Sequence, residues 1–138
     1  MKNIQADIKS GNFKQAYLLY GEEAYLKQQY KQNLIKALNP DGDTMNFSHY
    51  EGKGVDIKQL IDLCETMPFF ADRRVILLED TGFFKNKCEE LADYMKELPD
   101  YLCLVFAESE VDKRNRMYKA VKACGTIAEF ARQDEKTL

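Results

Sequence analysis

Short apolar runs alternate with segments of helical periodicity along the chain. Five segments are predicted to be strands, over residues 16–20, 45–50, 75–78, 101–107 and 126–130, and those at 75–78 and 101–107 are the continuous apolar runs of strands buried on both faces. Between the predicted strands, apolar residues recur every three to four positions, which predicts amphipathic helices. The alternation predicts an α/β fold with three layers, in which a mostly parallel five-stranded sheet carries helices on both faces and has right-handed crossovers.

Most of the helical segments have a residue that marks where they begin or end. The predicted signals are Gly11 after the first helix, Asn39-Pro40 after the second, Asp56 as the cap of the third, Pro99 after a fourth over residues 88–98 and Gly125 after a fifth over residues 116–124. Beyond the last strand, Asp134 and Glu135 resemble the start of another helix. We therefore expect the chain to stop at a domain boundary.

Two adjacent phenylalanines, Phe69 and Phe70, stand just before the strand at residues 75–78. Adjacent residues point about 100° apart on a helix and to opposite faces of a strand, so such a pair is hard to bury completely. Pro68 disfavours helix at Met67 and restricts its own backbone. The pair is predicted to occupy a short turn or one-turn helix that lifts the rings to an edge of the protein, although rings that cap the core under a loop remain an alternative.

Composition and charge narrow the class of protein. The chain has 138 residues and 16.0 kDa, of which 45% are hydrophobic and 31% charged, and this is typical of a single globular domain. A net charge of −3 and a pI near 5.3 disfavour a plain nucleic-acid-binding domain. No apolar run approaches the roughly 20 residues of a membrane span, and the N-terminus lacks the core of a signal peptide. A cytoplasmic protein without membrane contact is expected.

The residues that most often bind metals or form covalent intermediates do not form a motif. Four cysteines are irregularly spaced without a Cys-x-x-Cys, which favours reduced thiols that fill the core over disulfides or zinc; they are Cys64, Cys88, Cys103 and Cys124. His49, the single histidine, has no Ser, Cys or carboxylate partner in the sequence pattern. We predict a structural or surface role for it, with no metal and no catalytic residue.

Three other groups of residues are also candidates for a binding role. Phe83 and Phe84 are interpreted as a hydrophobic staple at a helix start, with exposure as the alternative. Arg73 and Arg74 flank Phe69 and Phe70, and they are expected to rim an acidic partner surface, where charges affect association rate more than affinity. Residues 108–116, which begin with Glu108, are charged and predicted to form a loop. The basic run at residues 113–116 within it is predicted to be solvated, with contact to a neighbouring subunit or to DNA phosphates as the less favoured reading.

The turn after the first strand is where a nucleotide would bind in this fold class. Gly21 and Lys27 match the phosphate-loop motif, but Leu26 replaces its second glycine and Gln28 replaces the hydroxyl that binds Mg²⁺. Two glutamates that follow Gly21 would also repel an anion. Residues 75–80, an apolar strand with an acidic end, resemble a Walker-B segment only weakly. We predict a degenerate phosphate loop without a nucleotide cofactor; a divergent P-loop ATPase or nucleotide-dependent switch is the alternative function.

Three stretches together resemble the N-terminal domain of the bacterial DNA polymerase III delta subunit family, and they cover residues 16–26, 67–79 and 104–106. This family supplies the clamp-loader component that opens the sliding clamp in replication. The resemblance implies a RecA-like core of the AAA+ type over residues 1–138, followed in the intact subunit by a helical lid and a C-terminal collar domain. It also implies a domain without catalysis of its own, within the holoenzyme of a DNA-directed DNA polymerase.

The resemblance also implies where partners bind. In the family, an apolar residue followed by Phe at the tip of a short helix inserts into a hydrophobic pocket of the clamp, and these two positions fall on Phe69 and Phe70. Phe69 stands where leucine is frequent, which keeps an apolar anchor. The implied partners are the sliding clamp (beta) and the delta prime and gamma/tau subunits of the loader, with DNA reached only through the assembled complex. The residues expected to contact the clamp are Met67, Pro68, Phe69, Phe70, Arg73 and Arg74.

Overall fold

Strands and helices alternate through the described part of the chain, which comprises residues 2–40, 42 and 44–130 of a computed structural model. In chain order the elements are α1 (Lys2–Ser10), β1 (Ala16–Tyr20), α2 (Ala24–Leu38), β2 (Phe47–Glu51), α3 (Ile57–Cys64), β3 (Arg74–Glu79), α4 (Glu89–Tyr94), a 3₁₀ turn (Met95–Glu97), β4 (Leu102–Glu108), α5 (Arg116–Cys124) and β5 (Thr126–Glu129). The alternation predicted from the sequence is therefore confirmed. Asp134 and Glu135, the expected start of another helix, lie outside the described residues.

The strands form one sheet in the order β2-β3-β4-β1-β5, and every neighbouring pair is parallel. Leu18 in β1 is in register with Phe106 in β4 on one side and with Ile127 in β5 on the other. The central strands β1 and β4 are buried along their whole length. Both faces of these strands must therefore be covered, which explains why their sequences are continuous apolar runs without alternation.

Two apolar cores lie on opposite faces of the sheet. On one face, α1 and α2 cover Tyr17 and Leu19 of β1 and their neighbours in the other strands. On the opposite face, α3, α4 and α5 cover Leu18 and Tyr20. Successive residues of β1 thus serve different cores, as the pleat of a strand requires. The three-layer architecture predicted from the sequence is confirmed.

Several element boundaries differ from the prediction. β2 begins at Phe47, two residues later than predicted, and β4 continues to Glu108, which was expected to lie in a charged loop. The fourth helix is α-helical only over Glu89–Tyr94 and then tightens into the 3₁₀ turn before Pro99. The cap of α3 is as predicted, because the Asp56 carboxylate accepts hydrogen bonds from the Lys58 and Gln59 amides at 2.9 and 3.3 Å.

The second phenylalanine pair is part of the core. Phe84 is fully buried, and its ring meets that of Phe106 edge to face with centroids 5.0 Å apart. Phe83 is buried as well. Their interpretation as a hydrophobic staple is wrong, because α4 begins only at Glu89 and the residue before its cap is Lys87. Both rings are nevertheless buried, so the alternative in which this pair is exposed is also wrong.

All four cysteines are free thiols, and they differ in burial. Cys64 and Cys103 are buried, whereas Cys88 and Cys124 are half-buried. Burial raises the pKa of the Cys64 thiol and of the Cys103 thiol to about 12. None of the helices within the described residues is both long and apolar enough to cross a membrane.

Candidate functional site

The segment between α3 and β3, residues 65–73, carries the first phenylalanine pair, and we call it the Phe–Phe loop. Phe70 is 94% exposed, Phe69 is 52% exposed, and Met67 is 74% exposed. The two rings contact each other edge to face, with centroids 4.4 Å apart. The predicted exposure is confirmed, and the alternative in which both rings cap the core is wrong. The binding role of the pair stays a prediction.

The loop is a bend and contains no helical turn at the phenylalanines. Phe70 has φ = +53°, in the left-handed region. For a residue with a Cβ atom this conformation costs roughly 1–2 kcal/mol, so other contacts must hold the backbone there. Of the two predicted forms, a short turn or a one-turn helix, the structure has the turn.

Asn46 holds the loop from the side of β2. Its Nδ2 donates a hydrogen bond to the Phe69 carbonyl at 2.7 Å, and the Phe69 amide donates to Asn46 Oδ1 at 2.5 Å. Asn46 itself is buried, and its carbonyl accepts a hydrogen bond from the Val75 amide at 2.9 Å. The backbone of Phe69 is therefore fastened to the sheet while its ring faces outward.

Arg74 holds the preceding part of the loop from within. Its Nε donates to the Thr66 carbonyl at 2.8 Å, and Nη2 donates to the Met67 carbonyl at 3.3 Å. The residue is only 5% exposed and belongs to β3. The expectation that Arg74 rims a partner surface is contradicted, because the residue is buried and its guanidinium donates hydrogen bonds to the backbone of the loop. Buried charge of this kind requires such hydrogen bonds.

Arg73, the next residue toward the loop, is placed differently. It is half-buried, and its guanidinium carbon lies 4.7 Å from the centre of the Phe13 ring. This is a cation–π contact of modest strength. Pro68 is also half-buried. Of the residues predicted to contact a partner, Phe70 is almost fully exposed, Met67 and Phe69 are exposed over half of their surface or more, and Pro68 and Arg73 are half-buried.

The exposed side chains of the Phe–Phe loop form an apolar projection on a rigid base. Met45, which precedes the buried Asn46 in the chain, is a further exposed apolar residue. Large apolar side chains grouped on a protein surface mark contact sites for other proteins. An arrangement of two rings and a thioether with a fixed backbone is suited to insertion into an apolar pocket, since little conformational freedom remains to be lost.

The degenerate phosphate loop lies at the opposite, carboxyl-terminal edge of the sheet. Lys27 Nζ donates hydrogen bonds to the carbonyls of Gly21 and Glu108, each at 3.1 Å. The lysine that would reach phosphates in a working loop therefore joins β1 to β4 instead. Leu26 packs against the core and Gln28 is exposed on α2.

The start of α2 is also occupied by the chain's own groups. The Glu23 carboxylate accepts a hydrogen bond from the Leu26 amide at 3.0 Å, and the Glu23 amide donates to the Phe130 carbonyl at 2.9 Å. Gly21, with φ = +125°, lies so close to Phe130 that a Cβ atom would come within 2.3 Å of that carbonyl oxygen. Glycine is needed here for this backbone contact. The geometry thus disfavours phosphate at the helix start.

The acidic end of β3 is likewise engaged within the chain. The Glu79 carboxylate pairs with Lys31 Nζ at 3.0 Å and with His49 Nε2 at 2.7 Å. Lys31 is buried, so this carboxylate compensates its charge. His49 is half-exposed on β2, in keeping with the structural or surface role predicted for it.

Glu108 is a buried carboxylate that sequence reasoning placed in a solvated loop. It accepts hydrogen bonds from the Thr81 amide, the Thr81 hydroxyl and the Gly82 amide, at 3.0, 3.1 and 3.0 Å. Burial raises the pKa of this carboxyl, and these hydrogen bonds oppose the shift. Its contacts tie the connection after β3 to the end of β4. The sequence signal was an acidic residue directly continuing an apolar run.

The basic run at residues 113–116 lies on the surface and is paired within the chain. Arg116 contacts Asp93 at 2.5 Å and Glu89 at 3.7 Å, and Arg114 contacts Asp112 at 3.2 Å. Lys113 lies 4.0 Å from Glu129. These contacts agree with a solvated run. Exposed pairs of this kind contribute little to stability.

A family model and one characterised relative match most of the chain. The model described as DNA polymerase III, delta subunit, matches residues 17–131. DNA polymerase III subunit delta of Bacillus subtilis is 24% identical to the chain over 132 residues, which is 87% of this chain and 38% of that protein. The chain thus spans about two fifths of the length of this relative.

Two solved structures share the fold. The DNA clamp loader delta protein of Bacillus subtilis superposes with a TM-score of 0.85 at 22% identity, covering 99% of this chain and 44% of that one. A DNA polymerase III gamma subunit-related protein of Thermotoga maritima superposes with a TM-score of 0.65 at 10% identity, covering 97% and 47%. The chain therefore has the same fold as these two proteins.

Proposed function

The chain belongs to the family of DNA polymerase III delta subunits, the clamp-loader subunits of DNA replication, and on this premise we propose that it binds the sliding clamp through the Phe–Phe loop and helps to open it for loading onto DNA. The contact residues in this proposal are Phe69 and Phe70 as anchors, with Met67 and Pro68 beside them and Arg73 at the margin. Arg74 supports the loop from inside.

The observation that carries the proposal is the combination of exposed rings with a fastened backbone. Phe70 is almost fully exposed, yet its left-handed backbone follows a residue whose amide and carbonyl are both bonded to Asn46. Exposed aromatic rings cost a monomeric protein solubility and gain it nothing in stability. Such a surface is explained by a partner that buries it, and the family supplies the sliding clamp as that partner.

The further parts of the proposal follow from the family. We propose that the domain is not catalytic, that it assembles with the delta prime and gamma/tau subunits, and that it meets DNA only through the complete loader. A helical lid and a collar domain would follow it in the intact subunit. Because replication acts on the bacterial chromosome, the cytoplasm is the proposed location. The internal bonds of Lys27 and Glu23 support the absence of a nucleotide cofactor.

Direct binding to the sliding clamp of the same organism tests the proposal. The chain is titrated into purified clamp in a calorimeter, with the clamp pre-incubated with an excess of a peptide spanning residues 65–73 as the competition arm. Saturable binding that the peptide weakens is the expected result. A chain that gives no heat and does not co-elute with the clamp in gel filtration would refute the proposed function.

A further inference from the structure

The carboxamide of Asn46 bonds both backbone groups of one residue in another segment. It donates to the Phe69 carbonyl at 2.7 Å and accepts from the Phe69 amide at 2.5 Å, across 23 positions of sequence. A neighbouring strand would normally satisfy these two groups with its own amide and carbonyl. A carboxamide presents the same donor and acceptor side by side, so the Asn46 side chain takes the place of a neighbouring strand at Phe69.

Asn46 is itself held by the sheet. Its side chain is buried, with the residue only 4% exposed, and its carbonyl accepts the Val75 amide at 2.9 Å, one step before Phe47 and Val75 pair in the β2–β3 ladder. The position of Phe69 is therefore set by the rigid part of the fold. The hydrogen bonds from Arg74 to the Thr66 and Met67 carbonyls hold only the part of the loop that precedes the phenylalanines.

Resting on the proposed function, we propose that Asn46 is a positioning residue for clamp binding: it locks the Phe–Phe loop in the conformation that presents both rings. The left-handed backbone of Phe70 directly follows the locked residue. Because that conformation is unfavourable for phenylalanine, an unlocked loop relaxes to extended backbone and turns the Phe70 ring away. Asn46 does not need to touch the clamp to control its affinity.

The expected effect is a loss of the binding-competent fraction. Two backbone hydrogen bonds of ordinary strength correspond to about a tenfold to hundredfold change in the population of the locked loop. The apparent dissociation constant rises as the competent fraction falls. We therefore expect Asn46→Ala to bind the clamp about tenfold or more weakly, although every contact residue is intact.

The test compares Asn46→Ala with Asn115→Ala. Asn115 is a matched control because its carboxamide also makes one donated and one accepted backbone bond, to Asn86 at 2.9 Å and from Met117 at 2.7 Å, at the opposite edge of the sheet. Clamp affinity is measured by calorimetry, and amide hydrogen exchange is followed in the free chain. Asn46→Ala should lose affinity and exchange faster in residues 65–73 while β1 and β4 stay protected; Asn115→Ala should do neither.

A second variant adds a signature that general destabilisation would not produce. In Asn46→Asp a carboxylate can accept from the Phe69 amide but cannot donate to its carbonyl, whereas the protonated carboxyl can do both. An exposed Asp carboxyl ionises at about pH 4, but burial at this position raises its pKa. The affinity of this variant relative to the parent at the same pH should therefore recover as the pH is lowered from 8 to 5.

The outcomes separate this inference from the proposed function. If Phe69→Ala plus Phe70→Ala abolishes binding but Asn46→Ala binds within twofold of the parent, the positioning role is wrong and the proposed function stands. If Asn46→Ala and Asn115→Ala lose affinity equally, with no local change in exchange, Asn46 is merely structural and the inference is overturned. If the parent does not bind the clamp, the proposed function fails first.

Discussion

Replacing Phe69 and Phe70 together by alanine tests where the binding energy lies. Burying a whole Phe side chain contributes about 1.5–3 kcal/mol. The free chain leaves 94% of Phe70 and 52% of Phe69 exposed, so the area still available to a partner corresponds to about 2–4 kcal/mol. The cost of association itself is common to parent and variant. The double change should therefore weaken clamp binding about thirtyfold to a thousandfold.

The same fractions predict a small effect on folding. Only the buried half of Phe69 and a trace of Phe70 contribute to the stability of the free chain, which corresponds to roughly 1–1.5 kcal/mol. The melting temperature should fall by a few degrees, about 2–8 °C for a domain of this size. Calorimetry with the clamp and thermal unfolding followed by circular dichroism measure the two quantities on the same preparation.

The second phenylalanine pair supplies the control. Replacing both Phe83 and Phe84 by alanine would remove two buried rings at about 3–5 kcal/mol each, which is comparable to the whole stability of a domain. Phe84→Leu is the usable variant, because it keeps most of the volume and loses about 1–3 kcal/mol with its contact to Phe106. It should melt lower and bind the clamp normally. A Phe69/Phe70 variant that binds normally but melts many degrees lower would refute the reasoning.

Three further predictions address other parts of the chain. ATP with Mg²⁺ at millimolar concentration should not raise the melting temperature, and Lys27→Ala should leave clamp affinity unchanged; a Mg²⁺-dependent stabilisation by ATP that disappears in Lys27→Ala would favour the nucleotide-binding alternative. Arg74→Ala should lose about 2–4 kcal/mol of folding stability in urea titrations, whereas Arg73→Ala should lose about 1 or less, and equal losses would contradict the placement of Arg74. Burial raises the pKa of the Cys64 and Cys103 thiols to about 12, so both stay protonated in the folded chain at a pH near 9, where an exposed thiol ionises. Folding stability should therefore decline as the pH rises from 9 toward 12. Iodoacetamide at pH 9 should label these two thiols only after unfolding, which mass spectrometry can show.

The features that were predicted correctly from the sequence are those that depend on residues close together in the chain. Continuous apolar runs such as β4 require cover on both faces, and that requirement alone leads to a three-layer sheet. Phe69 and Phe70 were noticed because their adjacency before a strand conflicts with burial on either face. The cap of α3 at Asp56 is also a local matter, since donor and acceptor lie within three residues.

The features that sequence missed depend on partners far along the chain. Asn46 bonds a residue 23 positions away, and its place in the predicted strand at residues 45–50 gives no sign of that partner. Arg73 and Arg74 look equivalent in sequence, but the register of β3 with β4 turns one of them inward beneath the loop. Glu108 was predicted to lie in a charged loop because charged side chains are usually exposed to solvent. In the structure it is buried, and three donors from the connection after β3 bond its carboxylate.

Lys27 also determines what this domain is able to sense. Its ammonium group bonds the Gly21 carbonyl, which lies only six positions away in the same chain. The lysine therefore occupies the degenerate phosphate loop at any concentration of dissolved molecules. A nucleotide would have to displace Lys27 from these bonds, so the site is poorly suited to follow the ratio of ATP to ADP in the cell. The Phe–Phe loop at the opposite edge of the sheet then receives no nucleotide signal from this site. Under the proposed function, the timing of clamp engagement would therefore have to come from outside this domain.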